Sequence, residues 1–206
     1  MARAPIRIIP QGEIAGGSKE PPAFRLAQAD SLFADRAARF DVLAARTGVA
    51  AGDGAFLQFM AHLARAQHEA LARHPSPAPL LAEHVERCRQ HGLPPLGTDA
   101  PLDGAWNDSL KFITQAVQPV APAPVRKVAD TLLAQPAAAL DTQAQSLLAL
   151  DYPALDPASA PLLGAALQVH WVKRVTALGD GVIRKLDVPT VCPACGSPPE
   201  IGRAHV

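Results

Sequence analysis

Residues 55–73, A-F-L-Q-F-M-A-H-L-A-R-A-Q-H-E-A-L-A-R, decide the fold class. Phe56, Phe59, Met60, Leu63, Ala66, Ala70 and Leu71 recur every three or four positions. That spacing gathers side chains on one face of a helix. Asp53 stands where it can cap the start. On the C-terminal side, H-P-S-P-A-P (74–79) cannot continue a helix and reads as a stiff connection.

The same period extends outward in both directions. Towards the N-terminus a helix is expected over about 24–46, introduced by Pro21 and Pro22 and stopped by Gly48. Phe33, Ala37, Phe40 and Ala44 share one face, with Leu26 and Leu43 at its margins; Asp35 and Arg39 lie four apart opposite. Before it, I-R-I-I-P (6–10) is a short extended segment. Beyond the proline connection, about 80–90 sets Leu81, His84, Val85 and Cys88 on one side, ending at Gly92 and Pro94-Pro95. About 103–118 turns Trp106, Leu110, Ile113 and Val117 inward. Val125, Val128, Leu132 and Leu133 mark another helix ending near Gln135. Pro136 fits the first turn of the next, which buries Leu140, Leu147 and Leu148. Ser159 is placed to cap the last, about 160–178, with Leu163, Ala166, Leu167, His170, Trp171 and Val175 inward. The expected fold class is all-α: a bundle of six or seven helices over 21–181, preceded by an extended segment (1–20) and followed by a tail.

Composition agrees with that class and narrows the function. Aromatic residues make up only 4% of the chain and alanine is abundant, which favours helix over sheet. Lys+Arg and Asp+Glu are both 19, so the chain has no net charge with which to grip nucleic acid or anionic membrane. No stretch approaches the roughly 18 apolar residues of a membrane span, and the start lacks the pattern of an export signal. A cytoplasmic protein without membrane insertion is the expectation.

The tail holds the motif with the most specific chemistry, V-C-P-A-C-G-S-P-P at 191–199. Cys192 and Cys195 flank a Pro-Ala pair and Gly196 follows, a knuckle that aims two thiolates at one metal ion. It is the start of a zinc-ribbon or rubredoxin-like module (182–199). Structural sites of this kind take four ligands, supplied by two knuckles. The remaining cysteine, Cys88, sits in helical surroundings far upstream. Without closure around an ion, the segment from Val188 onward is expected to be extended or mobile, with the two thiols close together but no ligand set around them, and Cys88, far from the tail in sequence, is not expected to complete it. His84 and Cys88 are four apart, a legal ligand spacing, yet core packing explains them more simply. His62 and His68 read as surface histidines and His170 as a packed helix residue. No Ser/His/Asp order, dinucleotide glycine motif or phosphate-binding loop is present, so no enzymatic activity is expected.

Four stretches coincide with one family. I-R-I-I-P-Q-G-E-I (6–14), S-L-F-A-D-R-A-A-R-F-D-V-L-A (31–44), F-L-Q-F-M-A-H-L-A-R-A-Q (56–67) and C-P-A-C-G-S-P-P (192–199) resemble the FdhE-type formate dehydrogenase accessory proteins. The resemblance implies a cytoplasmic helper that assembles or activates molybdenum-dependent respiratory formate dehydrogenases by binding their catalytic subunit. It also implies a helical domain followed by rubredoxin-like modules with further C-x-x-C pairs, of which this chain shows the first, Cys192 and Cys195. Iron or zinc is then the expected metal of the full-length family protein, and none is expected to stay on this chain alone. Residues 200–206, E-I-G-R-A-H-V, depart from the family pattern and read as a translation of a sequencing-adapter oligonucleotide, hence as a non-native tail.

Two other functional classes compete with the assembly factor. One is a zinc-ribbon adaptor for nucleic acid or protein, against whose nucleic-acid form the neutral charge argues. The other is a thiol redox protein using Cys192 and Cys195, which would need a thiolate of low pKa. For the assembly factor, the partner surface is sought first along 24–40. Its Arg36 and Arg39 are candidate contacts for acidic groups, a solvated helix face being the plainer reading. The oligomeric state is not legible.

Overall fold

Seven α-helices carry the described residues of the computed structural model: 26, 28–47, 52–98, 102–179, 181–188 and 190–197. They are α1 (Leu32–Thr47), α2 (Gly52–Arg73), α3 (Ala82–His91), α4 (Ala105–Val117), α5 (Ala123–Leu133), α6 (Ala137–Leu148) and α7 (Ala160–Ala177). No strand occurs among these residues, and the fold is all-α. None of their helices is long and apolar enough to cross a membrane. The segment at 6–10 and residues 200–206 lie outside the described residues.

Helices α2, α4 and α7 pack on one another, and α1 lies along α2. Phe33, Trp106, Leu110, Ile113, Val117, Leu132, Leu140, Leu163 and Val169 make the fully buried centre. Alanines at 66, 70, 129, 144, 165 and 166 keep helix axes close where they cross. α7 is buried on most sides, with Leu162, Leu163, Ala165, Ala166, Leu167, Val169, His170 and Lys173 all inside. An apolar stripe therefore understates it: α7 is the axis of the bundle.

The boundaries and caps depart from the sequence reading at several points. α1 begins at Leu32 rather than near 24, because Gln28 to Ser31 make a turn; the N–H groups of Ser31 and Leu32 donate to Gln28 O at 3.2 and 2.9 Å. α2 begins at Gly52, which places Asp53 inside the first turn, where its charge still favours the exposed N–H groups. Pro136 precedes α6 as its cap instead of entering the first turn. Ser159 makes no capping bond to α7; its hydroxyl donates to Asp156 Oδ2 at 2.7 Å.

Some stripe residues also stand elsewhere. Phe56 and Leu81 are exposed by 61% and 77%, and Phe59, Met60, Leu71 and Trp171 only lean against the core. Trp106, 1% exposed, is the tryptophan at the centre, and its Nε1–H donates to Asp141 Oδ1 at 2.7 Å. The end of α2 runs into Pro75, Pro77 and Pro79, which lack backbone donors. Lys173, itself buried, reaches across from α7 and donates to the carbonyls of His74 and Pro75.

Candidate metal centre

The tail is not extended: residues 192–197 form a closed turn seated on the bundle. The Gly196 N–H donates to Cys192 O at 2.8 Å and the Cys192 N–H donates to Ser197 O at 2.8 Å. Two bonds over six residues bring both cysteines to one side of a tight loop. Gly196 has φ +77, a conformation that a β-carbon opposes. A methyl group there would also stand 3.2 Å from Pro94 Cγ. Glycine is thus required twice, by the turn and by the neighbour.

That neighbour is the loop after α3. Leu96 N–H donates to Ala194 O at 2.9 Å, and Leu96 and Ala194 are both buried. Gly92, at φ +62, ends α3 by the left-handed turn that glycine favours, and Leu93 N–H closes back on Cys88 O at 2.9 Å. The chain then passes through Pro94 and Pro95 to meet the knuckle. Tail and α3 enclose a cavity of about 240 Å³ with Cys88 and Pro193 in its wall. Cys88 thus lines the same cavity as Pro193 of the knuckle, yet it does not group with Cys192 and Cys195 as a metal site.

Both knuckle thiols are free and half-buried. Burial pushes the Cys195 thiol up; its hydrogen bond to Ser197 Oγ, at 3.4 Å, partly offsets this, and Cys192 beside it adds to the rise. That direction is opposite to the one an activated redox thiolate requires.

As a donor set, two convergent half-buried thiols fit half of a tetrahedral zinc or iron site. Among the described residues no three His, Cys, Asp or Glu side chains converge as a metal site. His84 and Cys88 do adjoin, with Nε2 3.5 Å from Sγ, but the ring is engaged otherwise. Its Nε2 lies 3.1 Å from Pro95 O, which can only accept, so Nε2 carries the hydrogen; Nδ1 then accepts from Arg87 Nη2 at 3.4 Å. A protonated nitrogen offers no lone pair to an ion. Of the remaining histidines, His62 is exposed, whereas His68 is partly buried with Nδ1 unpartnered and His170 is 3% exposed.

The helices and knuckle have counterparts among known proteins. The family model described as "FdhE, N-terminal" matches residues 21–186. The chain belongs to the FdhE family. It is 36% identical over 200 residues to the "Protein FdhE homolog" of Pseudomonas aeruginosa, an alignment covering 95% of this chain and 62% of that protein. The corresponding FdhE homolog of Stutzerimonas stutzeri is 32% identical over 196 residues, with 95% and 63% covered. The crystal structure of the FdhE protein from Pseudomonas aeruginosa superposes with a TM-score of 0.73 at 34% identity, covering 85% of this chain and 60% of that one. This chain thus spans a little over three-fifths of the FdhE proteins it matches.

The paired cysteines of the knuckle are legible from spacing alone.

 What spacing does not reveal is the seat of the knuckle. The Leu96–Ala194 bond joins residues 98 apart in sequence through backbone atoms, which leave no trace in residue type.

Proposed function

We propose that this chain is the helical body and first metal-binding knuckle of a cytoplasmic accessory protein. It binds the catalytic subunit of a molybdenum-dependent respiratory formate dehydrogenase and helps to assemble or activate it, without being an enzyme itself. The observation that carries this reading is the family match, which runs through residues 21–186 and so through almost the whole helical body. The body supplies the rigid surface for the client. Cys192 and Cys195 supply two of the four ligands of an iron or zinc site, the other two coming from outside the described residues.

Co-purification tests the partner. A tagged longer family member that includes this region is expected to retain a formate dehydrogenase catalytic subunit through washing, and a client that elutes as it does from an untagged control overturns the reading. Metal analysis tests the knuckle. A complete structural zinc site is worth about 10–16 kcal/mol of apparent binding free energy. Two thiols leave half the coordination sphere to water, so the 206-residue chain should lose zinc or iron readily to a chelator. Stoichiometric, chelator-resistant metal on the monomer would show a ligand set other than the one proposed.

A further inference from the structure

The groove between α2 and α7 has an apolar lobe and a polar lobe. The apolar lobe, about 460 Å³, is walled by Phe56, Phe59 and Met60 of α2 with Val125 and Leu162 opposite. The polar lobe, about 400 Å³, contains Arg36, Gln67 and Gln168. Met60, Leu63 and Pro161 line both, so the two lobes adjoin along α2 and α7. Exposure of Phe56 at the start of α2 leaves an aromatic face uncovered along it.

The hydrogen bonds of the polar lobe fix what it can still accept. Gln67, 3% exposed, donates Nε2–H to Ala165 O at 3.0 Å, and a carbonyl admits only a donor. The same Nε2 donates to Gln168 Oε1 at 3.1 Å, and Arg36 Nη1 donates to that oxygen at 2.8 Å. Arginine has no acceptor, so the amide orientation of Gln168 is settled by its neighbours. With Oε1 taken twice, Arg36 and Gln168 have only N–H groups left to offer. The guanidinium is half-buried with its carbon 5.2 Å from the centre of the Phe33 ring, and among the described residues no carboxylate pairs with it. Burial lowers its pKa, as expected of a partly desolvated cation.

We infer that this groove docks a peptide segment of a partner protein in which apolar side chains are followed by an acidic one. The apolar side chains lie against Phe56, Phe59 and Met60, and the carboxylate takes the remaining N–H groups of Arg36 and Gln168. Charge complementarity selects this occupant, because an arginine with no carboxylate partner among the described residues, beside spare amide donors, matches a carboxylate in charge and in hydrogen-bonding sense. The inference rests on the partner-binding reading above and names its surface.

Titration of the 206-residue chain with fluorescein-labelled peptides tests it. One peptide carries two leucines and a phenylalanine followed by two glutamates; a second has glutamines for the glutamates, and a third has serines for the apolar residues. The first should bind saturably with Kd of about 1–100 µM, and the other two at least about tenfold more weakly. Arg36→Gln and Phe56→Ser should each weaken the first peptide by about tenfold or more while the thermal midpoint stays close to wild type, since neither side chain is in the core. Arg36→Lys should recover part of the loss. No saturable binding of the first peptide, or binding indifferent to both substitutions, overturns the inference. So does binding seen only with the Glu13→Gln chain, which would make the chain's own N-terminal segment the occupant, or a preference for phosphatidylglycerol vesicles over the peptide. If client capture fails while the peptide binds, the assembly role is wrong and the groove stands; if capture survives Arg36→Gln and Phe56→Ser undiminished, the groove is wrong and the assembly role stands.

Discussion

Trp106 and Gly196 are the two residues whose replacement separates the bundle from the knuckle. Trp106 stands in the first turn of α4 with its ring in the core and satisfies its one donor on Asp141. Trp106→Ala should cost about 3–5 kcal/mol through the cavity it leaves. Trp106→Phe keeps most of the ring and loses the bond, at about 1 kcal/mol. Urea denaturation of the two variants separates packing from hydrogen bonding, and equal losses would contradict the division. Trp171 is half-buried, edge-on to His170 and beneath Arg174, so its truncation should cost clearly less than that of Trp106. Periodicity counts both tryptophans as inward; it registers the side of a helix and not the depth at which another helix covers it. Gly196→Ala acts on the knuckle alone. A left-handed alanine costs about 1–2 kcal/mol, and its methyl group must push Pro94 aside. Cys192 and Cys195 should then react faster with a thiol reagent while the urea midpoint of the bundle stays unchanged; unaltered thiol rates would show that the turn tolerates a side chain.

At the level of elements, α3 and α6 end by the same turn with different residues. Gly92 adopts it without strain after α3. After α6 the position is held by Leu150 at φ +58, with Asp151 N–H on Ser146 O at 2.9 Å and Leu150 N–H on Leu147 O at 3.2 Å. These are the two bonds of a Schellman closure, in which glycine is the favoured residue. Leu150 is 54% exposed, so its side chain has little burial to lose. Leu150→Gly should therefore stabilise the protein by about 1 kcal/mol, and a thermal midpoint lowered by the change would refute that account. The elements themselves were readable: seven apolar stripes set off by prolines and glycines yield the seven helices, because burying a stripe and breaking at proline or glycine are local properties. The ends were less so. Asp30-Ser31 is a turn-forming pair standing inside an apolar period that runs back to Leu26, and the turn wins over the period. Lys173 was not foreseen as a core residue, since its role depends on carbonyls 98 and 99 positions away.

For the whole molecule, the buried histidine of α7 ties stability to pH. His170 is held with its pKa lowered, chiefly by burial; Arg174 and Lys173 add to the effect and Asp103, whose Oδ1 is 3.6 Å from Nδ1, opposes it. His74 is shifted in the same direction, again mainly by burial. The unfolded chain protonates these rings near the ordinary value of 6.5, above their folded-state values, so it binds more protons. Stability is then fully present above about pH 6.5 and is lost as pH falls towards the folded-state values. Thermal midpoints should fall between about pH 7 and pH 5, and less steeply for His170→Gln; equal slopes in the two proteins would remove His170 from the account.

The seat of the knuckle has a consequence in time as well as in space. α3 shares no extended seam with any other helix, whereas its following loop is tied to Ala194. During synthesis the bundle from α1 to α7 can close as soon as residue 177 is free, but the tail that lies against α3 arrives only afterwards, with residues 182–197. α3 and the tail should therefore behave as one late-folding unit that also opens first, with amide protons in 82–97 exchanging faster than those of α4 and α7 and slowing together with the tail.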